Sequence, residues 1–66
     1  MEFGKFLRAK RLKHGLLVSN FGITYSAISY IESGRNDPTF RSLVKIAEAF
    51  KMPTWKLLKE YETQKE

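Results

Sequence analysis

Apolar residues recur at helical spacing from the start of this chain. Phe3 is followed three and four residues later by Phe6 and Leu7, and basic residues stand between the apolar positions further on. Gly15 stands where a helix commonly ends, because glycine adopts the left-handed backbone that terminates helices. The spacing therefore predicts a first helix over about residues 2–14.

A short apolar stretch, residues 17–21, comes next and ends at Gly22. Thr24 then offers a side-chain N-cap for a helix over residues 25–32, which the Ser-Gly pair at 33–34 closes. Strand formation is the alternative for residues 25–32, because β-branched and aromatic residues are frequent there.

The distribution of polar residues favours a helix for this segment. At about 100° per residue, a helix places Ala27, Ile28 and Ile31 on one side. The opposite side then carries only hydroxyl-bearing residues, namely Tyr25, Ser26, Ser29 and Tyr30. A strand would instead mix Ser26, Ile28 and Tyr30 on one face.

Two more helices follow a turn at residues 36–38. Thr39 is a suitable N-cap for a helix over about residues 40–50. Its expected apolar stripe consists of Phe40, Leu43, Ile46, Ala47 and Phe50. Pro53 suits the start of the last helix, which carries Trp55, Leu57, Leu58 and Tyr61.

The length leaves room for one all-α domain. We expect a single domain over residues 1–66, with a core over about residues 3–61 and a polar tail over residues 62–66. Cysteine is absent, so the chain has neither a disulfide framework nor a thiolate zinc site, which fits a reducing cytoplasm. The apolar run at 16–18 is too short for a signal-peptide core, and no segment is apolar enough to span a membrane.

The net charge of +5 is unevenly distributed. Residues 1–35 contain six Lys and Arg against two Glu, whereas residues 36–66 contain six against five acidic residues. Charge alone fits a nucleic-acid partner and a solubilising lysine-rich surface about equally well.

The motif block from Ile28 to Gly34, followed by Asn36-Asp37-Pro38, resembles the Cro/cI-type (XRE) helix-turn-helix family. The similarity extends over roughly residues 3–58 and includes Arg8, Arg11, Gly15-Leu16, residues 21–24 and residues 43–47. It implies a five-helix, lambda-repressor-like domain whose second and third helices form the DNA-binding motif.

Two positions depart from the family pattern. The family has about one more helical turn between the glycine that ends the first helix and the glycine that ends the second, whereas here Leu16 runs directly into Leu17. We therefore expect a second helix shortened by that turn, which in the family contacts a DNA phosphate. Lys51 stands where the family usually has a left-handed glycine, at a cost of about 1 kcal/mol.

The resemblance implies that the third helix enters the major groove of DNA. Its polar side would present Tyr25, Ser26, Ser29 and Tyr30 to base edges. None of the four is Arg, Asn or Gln, so bidentate contacts to guanine or adenine are excluded from this face. Hydroxyl hydrogen bonds and contacts of the rings with thymine methyls remain, and the alternative is that both tyrosines are ordinary surface residues.

Further roles follow from positions that match the family. Arg35, Asn36 and Arg41 correspond to contacts with DNA phosphates. Arg11 and Glu32 correspond to a structural ion pair. A solvated helix face is the expected account of Arg8, Lys10 and Lys13.

A homodimer is expected because the shortened second helix uncovers apolar residues 16–18. Trp55, Leu58 and Tyr61 cannot all point inward from the last helix, so they are the predicted interface. The alternative is that Trp55 closes the core and that dimers form only on DNA.

An enzyme is not expected. The sole histidine, His14, lies at a helix end where the dipole favours a cation, and the four glycines are too dispersed for a phosphate loop. We expect no metal, no cofactor and no small-molecule ligand. The predicted partner is double-stranded DNA and the predicted function is operator-specific transcription regulation, while the alternative is a helix-turn-helix-derived dimerisation or protein-interaction module.

Overall fold

The computed structural model describes residues 2–65, and these residues form helices connected by short loops. Four α-helices are present: α1 (Phe3–Lys13), α2 (Tyr25–Glu32), α3 (Phe40–Ala49) and α4 (Thr54–Lys65). A one-turn 3₁₀ helix (Val18–Phe21) stands between α1 and α2, in the position of the second helix. The predicted all-α fold is confirmed, with a single 3₁₀ turn in place of one of the five helices.

The last helix is longer than the sequence predicted. It continues through Gln64 to Lys65, whereas the sequence suggested a separate polar tail from residue 62. Thr63 supports this end, since its hydroxyl donates a hydrogen bond to the carbonyl of Lys59 (2.9 Å). Glu, Gln and Lys are good helix formers, so a polar composition does not end a helix by itself. Residue 66 lies outside the described part of the chain.

Three helices end with the same backbone motif, in which a left-handed residue reverses the chain. Gly15 follows α1 with φ of 68°, Gly34 follows α2 with φ of 82°, and Lys51 follows α3 with φ of 58°. After α1, the amide of Leu16 donates to the carbonyl of Arg11 (3.0 Å), and equivalent bonds follow the other two helices. Lys51 therefore has the left-handed conformation expected from its position.

The core takes at least one residue from each helix. The described residues include eight buried apolar side chains, namely Phe6, Leu7, Phe21, Ile28, Ile31, Ile46, Ala47 and Leu57. Phe21 anchors the 3₁₀ turn, because its ring meets the ring of Phe50 edge-on with centroids 5.6 Å apart. In α4 it is Leu57 that enters the core, so the alternative in which Trp55 closes the core is wrong.

Phe40 does not belong to the core, contrary to the pattern-based prediction. Its side chain is 75% exposed, whereas Ile46 and Ala47 are fully buried and Leu43 and Phe50 are half-buried. Phe40 is the first residue of α3 and directly follows the N-cap residue Thr39. The apolar stripe of α3 is therefore covered from Leu43 onward and exposed at its first residue.

Helix α1 lies close to the end of α2 at Gly4. A Cβ atom on Gly4 would overlap the carbonyl oxygen of Ile31 and would lie 2.8 Å from that of Glu32. These are backbone atoms at the end of α2, so they cannot rotate away. Glycine at residue 4 therefore sets the distance between the two helices.

An ion pair joins the same two helices. The Nε atom of Arg11 donates to Oε2 of Glu32 (2.7 Å), and Nη2 donates to Oε1 (3.1 Å). The third contact, from Nη1 to the carbonyl of Leu16 (3.2 Å), ties the loop after α1 to the pair. The hydrogen bonds that Arg11 donates to Glu32 raise the pKa of Arg11, so this arginine stays charged.

We expect Gly4→Ala to lower the free energy of unfolding by about 1–3 kcal/mol, because the added methyl forces α1 and α2 apart. Chemical denaturation measures this change. An exposed helical glycine would respond in the opposite direction, since alanine is the better helix former by about 0.5–1 kcal/mol. Ala9→Gly, on an exposed position of α1, calibrates that propensity. A stabilised Gly4→Ala variant would contradict the close approach.

Glu32→Ala should lower the free energy of unfolding by about 3 kcal/mol, because it leaves the mostly buried guanidinium of Arg11 without a carboxylate. Glu60→Ala is the matched control. Glu60 also forms a 2.7 Å ion pair, with Lys10, but Glu60 is 33% exposed, against 8% for Glu32. After its removal, water can reach Lys10, which also keeps its contact with the Phe50 ring, so a smaller loss is expected. An equal decrease in the free energy of unfolding for the two variants, measured by thermal or chemical denaturation, would contradict a structural role specific to the Arg11–Glu32 pair.

Candidate nucleic-acid interface

One surface of α2 is polar and open to solvent. Its four residues, which we call the α2 surface, are Tyr25, Ser26, Ser29 and Tyr30, and all four are exposed. Tyr25 is 73% exposed and Tyr30 is 42% exposed, while Ile28 and Ile31 on the opposite side are buried. The structure therefore brings the four predicted base-contacting residues together on one face.

The N-terminus of α2 is held by a side-chain cap. The hydroxyl of Thr24 accepts a hydrogen bond from the amide of Ala27 (3.2 Å). Gly22 precedes this cap in the left-handed conformation, with φ of 66°, and marks the turn between the 3₁₀ helix and α2. The start of α2 therefore has a defined direction, and this fixes where Tyr25 and Ser26 project.

The C-terminal end of α2 couples Tyr30 to Arg35. The guanidinium carbon of Arg35 lies 5.5 Å from the centroid of the Tyr30 ring, within the range of a cation–π contact. The carbonyl of Tyr30 also accepts hydrogen bonds from the amides of Arg35 (2.9 Å) and Asn36 (3.2 Å). A predicted base-contacting residue and a predicted phosphate-contacting residue thus support each other, which sequence spacing did not indicate.

Arg41 lies in the first turn of α3 with its side chain exposed. The start of this helix is capped by Thr39, whose hydroxyl accepts from the amide of Ser42 (3.1 Å). Arg35 and Asn36 are exposed as well, so all three residues predicted to contact phosphates are accessible.

Lys10 does not lie on a solvated helix face as the sequence suggested. Its Nζ atom donates to Oε1 of Glu60 (2.7 Å) and lies 5.0 Å from the centroid of the Phe50 ring. Its side chain is only 10% exposed. Lys10 therefore ties α1 to α4, whereas Arg8 and Lys13 remain exposed.

The three residues predicted for a dimer interface have different surroundings. Trp55 is 65% exposed, and Leu58 is half-buried. Tyr61 packs on its own domain, with its ring centroid 5.3 Å from Phe3 and 5.4 Å from Phe6. Tyr61 therefore does point inward, because Phe3 and Phe6 at the start of α1 offer it an aromatic neighbour.

The apolar segment after α1 is also less uncovered than predicted. Leu16 and Val18 are half-buried and pack against the core, whereas Leu17 is exposed. The amide of Leu17 donates to the side chain of Asn20 (2.7 Å), which fixes the start of the 3₁₀ turn. Only Leu17 of these three contributes a largely open apolar surface.

Within residues 2–65, no cluster of three or more His, Cys, Asp or Glu side chains could hold a metal ion. His14 lies at the end of α1, with its ring edge-on to Phe50 at 5.4 Å between centroids. The described helices include none that is both long enough and apolar enough to cross a bilayer.

Comparison with known families identifies the fold. A helix-turn-helix family model matches residues 7–54, which include most of α1, the 3₁₀ turn, α2 and α3. No curated protein and no solved structure matches the chain. On the family match, and on the exposed helix that follows a short helix and a tight turn, this chain belongs to the Cro/cI-type helix-turn-helix family of DNA-binding regulatory domains.

Proposed function

We propose that this protein is a sequence-specific transcriptional regulator that acts by occupying an operator in double-stranded DNA. The observation that carries the proposal is the α2 surface, which presents four exposed polar residues on a helix whose other side is buried. Arg35, Asn36 and Arg41 follow in the next loop and the start of α3, where they can bind phosphates. A helix of this kind fits the major groove of B-DNA.

The chemistry of the α2 surface suggests which bases it contacts. Two phenol rings and two serine hydroxyls offer single hydrogen bonds and apolar contacts, whereas bidentate pairing with guanine or adenine needs Arg, Asn or Gln. Thymine carries an exposed methyl group in the major groove, which an aromatic ring can contact. We therefore expect thymines opposite Tyr25 and Tyr30 in the preferred site.

We also propose that the protein acts as a homodimer through α4. Trp55 is a large apolar side chain that is mostly exposed, and Leu58 is half-buried three residues further along the helix. Burying them in a two-fold contact would remove apolar surface from water. A dimer would also match two half-sites about one DNA turn apart.

The second candidate function is a helix-turn-helix-derived interaction module with weak or no DNA binding. The reduction of the second helix to one 3₁₀ turn favours it, as do the exposed side chains of Leu17, Phe40 and Trp55. Against it stands the concentration of positive charge in the first half of the chain. The two functions differ in whether the protein binds duplex DNA and whether it prefers one sequence.

Titration against duplex DNA at several salt concentrations tests the proposed function. Affinity should fall steeply between roughly 50 and 200 mM salt, with a slope of about 0.9 for each phosphate neutralised. A site selected from a random duplex pool should bind more tightly than the pool itself. Binding that does not change over this range, or no preference for any site, would favour the interaction module.

Tyr25→Ala should reduce the preference for the selected site over random DNA, whereas Arg41→Ala should weaken both complexes about equally. Tyr25 and Arg41 are chosen instead of Tyr30 and Arg35, because the latter two contact each other and cannot be tested separately. Replacing the contacted thymine by deoxyuridine should weaken wild-type binding about fourfold, since it removes one methyl contact. An unchanged preference in Tyr25→Ala would contradict the assignment of α2 as the base-contacting helix.

Sedimentation equilibrium at tens of micromolar protein, on the order of a weak dimer's dissociation constant, should show a dimer. Trp55→Ala should shift it toward monomer and lower affinity for the selected site. Phe40→Ala is the control, because Phe40 is also a mostly exposed aromatic residue (75%, against 65% for Trp55) but lies on α3. A monomeric wild type without DNA would contradict a dimer held by α4.

A further inference from the structure

A shallow cavity of about 180 Å³ lies between α1, the 3₁₀ turn and α2. Its lining includes Arg8 and Arg11 from α1, Val18 from the turn, and Tyr25, Ser29 and Glu32 from α2. We propose that this cavity binds a phosphate group of the DNA backbone, with Arg8 as the cationic donor. The inference rests on the proposed DNA-binding function and adds a contact that the sequence did not assign.

The guanidinium of Arg8 makes no hydrogen bond to the nearby carboxylate of Glu32, because Arg11 already donates to that carboxylate. Both oxygens of Glu32 accept hydrogen bonds from Arg11, at 2.7 and 3.1 Å. The Nη1 atom of Arg8 lies 4.0 Å from Oε1 of Glu32, which is beyond hydrogen-bond distance. The side chain of Arg8 is 63% exposed, so a phosphate can reach its planar guanidinium, which suits bidentate contacts to phosphate oxygens.

The rest of the lining suits an anion. Tyr25 and Ser29 stand one helical turn apart on α2, and both carry hydroxyl groups that can donate to a phosphate oxygen. The hydroxyl of Ser33, which also lines the cavity, already donates to the carbonyl of Tyr30 (3.1 Å). Two guanidinium groups and one carboxylate leave the lining with a net positive charge.

The position of the cavity points to a backbone phosphate. Tyr25 and Ser29 belong both to the cavity and to the α2 surface proposed to contact bases. A phosphate bound beside them would lie at the edge of the groove that α2 enters, since the phosphates flank the base edges. Arg8 would then fix the depth and direction of α2 on the duplex.

The test compares the salt dependence of binding to a random-sequence DNA duplex for the wild type, Arg8→Gln and Lys13→Gln. Lys13 is the matched control, because it is an exposed cation on α1 that lines a different surface with His14 and Glu60. Arg8→Gln should reduce the salt slope by about 0.9, so that its affinity deficit shrinks about 3.5-fold from roughly 50 to 200 mM salt. Lys13→Gln should leave the slope unchanged, and Arg8→Lys should retain it.

Equal salt slopes for the wild type and Arg8→Gln would overturn the site. Equal reductions of the slope in Arg8→Gln and Lys13→Gln would overturn it as well, because they would show a general effect of removing positive charge. A wild type that binds the duplex with a slope insensitive to Arg8 would leave the proposed function intact. A wild type that binds no duplex would contradict the function as well as the site. Unfolding curves confirm that each variant is folded.

Two further measurements distinguish the backbone from a free anion as the source of the phosphate. Single phosphates of a selected site are replaced, one at a time, by neutral methylphosphonate groups. At one position this replacement should lower the affinity of the wild type but not that of Arg8→Gln. Inorganic phosphate is titrated in parallel, with the amide signals of Tyr25 and Ser29 followed by NMR. Saturable phosphate binding that depends on Arg8, with no such position in the DNA, would overturn the assignment to the backbone.

Discussion

The bidentate contact between Arg11 and Glu32 determines how α2, the helix proposed to contact DNA bases, is held on this domain. Arg11 reaches from α1 to the last residue of α2 and also to the carbonyl of Leu16, so one guanidinium joins two helices and the loop between α1 and the 3₁₀ turn. A chain of this length buries few apolar side chains, and a pair with both partners mostly buried is costly to break. Gly4 allows the contact, because only a residue without a side chain lets α1 approach the end of α2 so closely.

This arrangement leaves α2 with one buried and one open side. Ile28 and Ile31 face the core, and the polar side carries the tyrosines and serines proposed to contact DNA. The same ion pair also explains why Arg8 is available in the neighbouring cavity. Because both oxygens of Glu32 accept hydrogen bonds from Arg11, Arg8 lies 4.0 Å from the carboxylate without donating a hydrogen bond to it. A structural interaction thus leaves a second arginine available on the flank of the helix.

The short second helix is compensated by local contacts. Phe21 packs edge-on against Phe50, and Asn20 caps the start of the 3₁₀ turn. Leu16 and Val18 pack against the core, so little apolar surface is exposed where the longer helix of the family would lie. A single turn is therefore enough to connect α1 to α2, and of this segment it leaves the side chain of Leu17 exposed.

The sequence alone determined the all-α class, the bounds of α2 and the stops at Gly15 and Gly34, because these features depend on local periodicity and backbone conformation. The left-handed stop at Lys51 was expected only from the family resemblance. It also brought Tyr25, Ser26, Ser29 and Tyr30 onto one face, since that follows from the helical repeat. Only the tertiary structure decided that Phe40 is exposed, that Tyr61 packs on Phe3 and Phe6, and that Lys10 pairs with Glu60. These outcomes depend on which elements meet in space. The stacking of Arg35 on Tyr30 and the cavity beside Arg8 arise in the same way, because both need side-chain positions that no spacing along the chain specifies.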